Sequence, residues 1–173
     1  MRRSSLLLAS AVVATATLAT ALPASAATSG TTVATFALAG GALNITVAGT
    51  ATIPGAASGV ASVSGTLGTV NVTDQRGGLV GWTASASSTT FTTPAGDTTS
   101  SSVTYAPGLP TTSGVAVVVP AVSAILTSTP TTVMSATGVV GGNSASWNPT
   151  LTVGLPSSAL AGTYTGTVTT SVA

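Results

Sequence analysis

From Gly162 to Ala173 the chain alternates with a period of two. Thr163, Thr165, Thr167, Thr169 and Ser171 hold one parity, while Tyr164, Val168 and Val172 hold the other. That period belongs to a β-strand with one wet face and one dry face, because side chains on a strand point to opposite sides in turn. Leu43, Ile45 and Val47 alternate with Asn44 and Thr46 in the same way, and Val70 and Val72 with Thr69, Asn71 and Thr73. Trp147, Leu151 and Val153 alternate with Ser146, Thr150 and Thr152, and Pro149 marks that segment as an edge or a bulge.

Turn chemistry separates these runs. Gly40-Gly41, Pro54-Gly55, Gly77-Gly78, Pro94 to Asp97, Pro107-Gly108 and Gly141-Gly142-Asn143 all read as turns. Lys and Glu are absent and Gln occurs once, so good surface-helix formers are almost missing, whereas Thr and Val suit a pleated ladder. No fixed-length repeat argues for a solenoid. Short strands at such spacing predict an all-β fold, an antiparallel Ig-like/Greek-key β-sandwich. One turn of helix is expected over Pro156–Gly162. The stretch from Gly108 to Pro130, with its prolines, reads either as a long crossing connection with one strand or as a loop at the sandwich end. Its apolar Val115–Val119 is expected to cover the core, since an exposed run of that kind invites aggregation.

The N-terminus gives an address. Arg2-Arg3, an apolar run from Leu6 to Leu22 and Pro23-Ala-Ser-Ala26 have the form of a secretory signal peptide, expected to span residues 1–26 with cleavage after Ala26. Residues 27–173 are then a single domain. Its charged side chains are Arg76, Asp74 and Asp97, so the formal +1 of the full chain becomes −1. Cysteine is absent, and an exported chain without disulfides must rely on packing and strand ladders. No later run is long enough to span a membrane as a helix, so no transmembrane anchor is expected.

The stretch Asp74-Gln-Arg-Gly-Gly-Leu-Val-Gly-Trp82 concentrates the unusual residues. Pairing Val70–Asp74 with Trp82–Ala86 about Gly78 predicts a β-hairpin with Asp74 opposite Trp82. Val70, Val72, Asp74, Trp82, Ala84 and Ala86 would then share the inner face. Arg76 shares that parity and can pair with Asp74 or stack on Trp82. Two readings follow: Trp82 plugs the core beside a rim ion pair, or it forms an aromatic platform with a charged edge for a ligand.

Val72-Thr-Asp-Gln-Arg-Gly77, Gly81-Trp-Thr-Ala84 and Gly162-Thr-Tyr-Thr-Gly-Thr-Val168 resemble the WxL cell-wall-binding domains of Gram-positive bacteria. Those domains carry a D-x-R-G segment leading into Trp-x-Leu, and a distal Tyr-x-x-x-Leu. Here Ala84 and Val168 stand at the two Leu positions. The resemblance implies a β-sandwich and motif positions at Asp74, Arg76, Trp82, Ala84, Tyr164 and Val168.

Chemistry is sparse. Without His, Cys, Lys or Glu, a Ser or Thr nucleophile has no base, and a transition metal lacks its usual ligands. Asp74 lies two residues from Arg76, which favours plain ionisation over proton transfer. Asp97 reads as a turn former rather than a Ca²⁺ ligand. No catalysis, metal or cofactor is expected. A single Arg cannot track a phosphate backbone, which argues against nucleic acid. The expectation is therefore a secreted, non-catalytic protein held non-covalently on the cell wall or cell surface. Its expected partners are peptidoglycan, another wall polysaccharide or other surface proteins. The alternatives are a self-associating subunit of a surface layer, fibre or coat, and a carbohydrate-binding module.

Overall fold

The computed structural model describes residues 29–94 and 101–173; the signal segment expected at 1–26 and Asp97 lie outside them. The chain divides into Met1–Phe36 and Ala37–Ala173, and every strand described belongs to the second unit. The larger of its two sheets contains β1 (Leu43–Thr46), β3 (Val70–Asp74), β4 (Trp82–Ser88), β6 (Thr111–Pro120), β8 (Thr131–Trp147) and β10 (Val168–Val172). The smaller contains β2 (Ser62–Thr66), β5 (Ser102–Ala106), β7 (Ala124–Ile125) and β9 (Thr150–Gly154), ordered β2-β9-β5-β7. All pairings between these strands are antiparallel. The chain changes sheet at nearly every connection, and the inner faces form one nearly closed sandwich, the class that the alternation predicts.

Most of the predicted faces hold, although β1 ends at Thr46 and Val47 is exposed. Val70, Val72, Asp74, Trp82, Ala84 and Ala86 are all buried, as are Trp147, Leu151 and Val153. From Gly162 to Ala173 the hydroxyl parity is exposed, while Tyr164, Val168 and Val172 are half-buried. Only Val168–Val172 of that segment forms a continuous strand, and Thr165 bridges to Thr92 before it. At the centre Tyr105, Met134, Leu151, Val72 and Val133 are fully enclosed, each such aliphatic side chain contributing about 1.5–3 kcal/mol by leaving water. Trp147 donates its indole N–H to the Tyr105 hydroxyl at 3.0 Å, so the large polar tips inside are satisfied.

The predicted hairpin does not form. Asp74 lies opposite Asn143 and Trp82 opposite Ala136, so β3 and β4 run in the same direction, one after the other, along one edge of β8. β6 lies against both stretches of β8 and so takes its other edge. The face assignment survives because both strands belong to the same sheet and keep the same parity. Each is flanked in turn by one terminal strand, β1 on β3 and β10 on β4.

Other turn assignments fail for related reasons. Gly141-Gly142-Asn143 lies inside the 17-residue β8, where Gly141 (φ 71°) makes a bulge instead of a turn. A second irregularity opposite Ala84/Ser85 lets the consecutive residues Val133 and Met134 both face inward. Gly40-Gly41 is a close approach: Gly41 N–H donates to Gln75 O at 2.6 Å, and a Cβ on Gly40 would lie 2.4 Å from the Arg76 carbonyl oxygen. Pro156–Gly162 forms a β-turn closed by Ala159 N–H to Pro156 O, not a helical turn. Pro149 sits where the chain leaves β8 for β9, and β9 is paired on both sides, so it is no edge strand.

The largest correction concerns Val115–Val119. These residues form most of β6, whose outward parity carries Val115, Val117 and Val119 at 59, 61 and 53% exposure. The inward parity, Ala116 and Val118, packs against the core and satisfies the covering role, so the alternate valines are left in water.

Candidate functional site

Asp74 is the last residue of β3 and points inward, where its side chain is almost wholly enclosed. The chain then turns back so that Arg76 Nε meets Asp74 Oδ1 and Arg76 Nη2 meets Asp74 Oδ2, both at 2.9 Å, a bidentate pair. Arg76 N–H also donates to Asp74 Oδ1 at 3.1 Å. The same Nη2 donates to the carbonyls of Val80 and Gly81, at 3.1 and 3.0 Å. One guanidinium thereby ties both ends of the excursion that separates β3 from β4.

Asn143 joins this pair to the aromatic residue. Trp82 Nε1 donates to Asn143 Oδ1 at 3.0 Å, and Asn143 Nδ2 donates to Asp74 Oδ2 at 3.3 Å. The side-chain hydrogen bonds from Arg76 are the chief reason the Asp74 carboxyl falls from 3.8 to about 2, against the opposing push of burial; the Arg76 backbone N–H and the Asn143 amide lower it further. Arg76 is in turn held above its ordinary value, chiefly by its hydrogen bond to Asp74. An ionised carboxylate locked to a guanidinium neither takes nor gives a proton near neutrality, so the cluster is suited to holding structure.

Trp82 is 2% exposed, so no ring face is offered to a ligand. Of the two sequence readings, the plug with its ion pair describes the geometry. Ala84 is also fully buried, between Met134 on β8 and Val172 on β10.

Tyr164 and Val168 lie elsewhere. Val168 pairs with Ser88 at the far end of β4, and Tyr164 precedes it, its hydroxyl donating to the Leu160 carbonyl. Both line a groove of about 770 Å³ that opens between the sheets, together with Phe91, Leu151, Val63 and Ile53. Its walls include the connection from β1 to β2 and the one from β9 to β10. The six motif positions therefore divide into a closed structural cluster and an open apolar groove.

No family model, characterised protein or solved structure matches the chain.

Two features escaped the sequence. Asn143, the hub of the cluster, was hidden in a Gly-Gly-Asn that reads as a turn, although it shares odd parity with Ala145 and Trp147. The groove had no local signal, because its lining comes from strands and connections far apart in the chain.

Proposed function

We propose that this chain is a non-catalytic structural protein of the cell surface, a subunit of a layer, fibre or coat. The observation that carries this reading is β6. It is a ten-residue strand paired on one edge only, with half-exposed valines on its outer face and no charged residue along it. Soluble proteins protect such edges with lysines, bulges or covering loops, because an open ladder templates another chain. Here no lysine lies along β6; two register shifts interrupt its pairing with β8, between Gly114 and Val115 and between Val115 and Val117, and Pro120 ends it. The charged side chains of residues 27–173 are Asp74 and Arg76, which pair with each other, and Asp97, so a formal charge of −1 opposes the association of two copies only weakly. Sedimentation velocity over a wide concentration range tests the reading. Association that Val117→Lys suppresses, at an unchanged melting temperature, is the expected result; a monomer at every concentration sinks it.

A second reading, non-covalent attachment to the wall, draws on the exposed row Thr163, Thr165, Thr167, Thr169 and Ser171. Exposed hydroxyls at alternate positions, Thr169 and Ser171 on β10 and the others on the segment before it, suit a glycan, and the resemblance to WxL domains points the same way. A pull-down with purified peptidoglycan is the test, and loss of all retention at moderate salt removes this reading.

A further inference from the structure

The chain carries a groove that lacks a filling and a segment that lacks a cover. The groove between the sheets is lined by Val63, Leu151, Val153, Phe91 and Val168, residues of core type on inward parity. β1 and β10 on one sheet and β2 on the other are edge strands, each paired on one side only. Of these, β10 contributes Val168 and Thr170 to the groove and β2 contributes Val63.

Residues 29–40, Ser-Gly-Thr-Thr-Val-Ala-Thr-Phe-Ala-Leu-Ala-Gly, have neither helix nor strand. Val33, Phe36 and Leu38 are 89, 92 and 90% exposed, and no charged side chain lies among them. Phe36 and Leu38 share one parity, so an extended conformation would place both on one face. Twelve residues at about 3.3 Å each reach roughly 40 Å when extended. Within the second unit the segment ends at Gly40-Gly41, beside Gln75 and Arg76.

We propose that residues 29–40 of one copy insert as an added strand into the groove of a second copy, with Phe36 and Leu38 filling its interior. Added strands of this type gain main-chain hydrogen bonds from the edge and specificity from alternate side chains in pockets. Donor and acceptor are different surfaces, so the contact is head-to-tail and repeats, generating a filament unless rotation closes a ring. The inference rests on the self-association proposed above and names its partner and its mode.

The cysteine-free chain suits disulfide trapping. Leu38→Cys and Leu160→Cys proteins, each carrying one thiol, are mixed under mild oxidant. Leu160 lines the groove and is 59% exposed, so the change spares the core. A disulfide-linked heterodimer is expected, suppressed by a peptide of residues 29–41, and absent when Val122→Cys replaces Leu160→Cys. In parallel, Phe36→Ser and Leu38→Ser are each expected to raise the concentration needed for assembly by about tenfold or more, because each removes a large apolar burial. Unchanged assembly in the double serine variant overturns this inference and leaves the β6 reading standing. A Leu38→Cys/Leu160→Cys chain that closes only on itself overturns the second-copy assignment. Absence of assembly in the unaltered protein overturns both proposals.

Discussion

Trp82 and Asn143 stand 61 positions apart in sequence, and the indole N–H of one donates to the amide oxygen of the other at 3.0 Å. Asn143 uses its amide nitrogen on Asp74, so a single buried amide satisfies an aromatic donor and a carboxylate together. Asn143→Ala leaves both without that partner. We expect a loss of about 1–3 kcal/mol, the cost of stranding buried polar groups, read as a lower urea midpoint at unchanged slope. A midpoint equal to that of the unaltered protein contradicts the hub role.

Acid should weaken the protein in a defined window. Asp74 has its folded pKa depressed from 3.8 to about 2, so its stabilising contribution is complete above roughly pH 4 to 5 and disappears as pH falls through about 2. Melting temperatures from pH 7 to pH 2 should decline in that interval. Asp74→Asn should melt lower at neutral pH and show a flatter acid limb. An undiminished acid limb in that variant assigns the titration to another group.

Leucine substituted at Ala84 and at Val168 separates the two positions. Ala84 is fully buried against Met134 and Val172, so Ala84→Leu overfills the core and costs about 1–3 kcal/mol. Val168 lines the open groove, and Val168→Leu should change stability by about 0.5 kcal/mol or less. Equal effects at both positions would mean that the groove is filled in the isolated protein.

Both tryptophans are enclosed, Trp82 at 2% and Trp147 at 3% exposure. Acrylamide should therefore quench emission only weakly, and addition of purified walls should leave the spectrum unmoved. Strong quenching in the folded protein would place at least one ring at the surface.

The sequence made the faces legible and concealed the neighbours. Parity alone identified Val70, Val72, Asp74, Trp82, Ala84 and Ala86 as one inner face, because alternation depends only on the strand itself. The partner of Trp82 could not be read that way. A Gly-Gly between two strands has the chemistry of a hairpin, yet β8 is long enough to receive β3 and β4 in succession, and that length was masked by glycines that bulge a strand instead of ending it. Val115–Val119 illustrates the same limit. Its inward members cover the core as expected, but a run of consecutive apolar residues must turn half its side chains outward, and Val115, Val117 and Val119 are left more than half exposed.

The Asp74–Arg76 pair has a consequence for the proposed self-association. Because Asp74 and Arg76 pair with each other and Asp97 is the one other charged side chain of residues 27–173, dissolved electrolytes find little charge to screen, and cohesion resting on valines and main-chain ladders should change little in modest brine. Temperature becomes the governing variable: apolar contacts slacken on cooling, so chilled material should loosen first. Light scattering across ionic strength and temperature would reveal which of the two the particles heed.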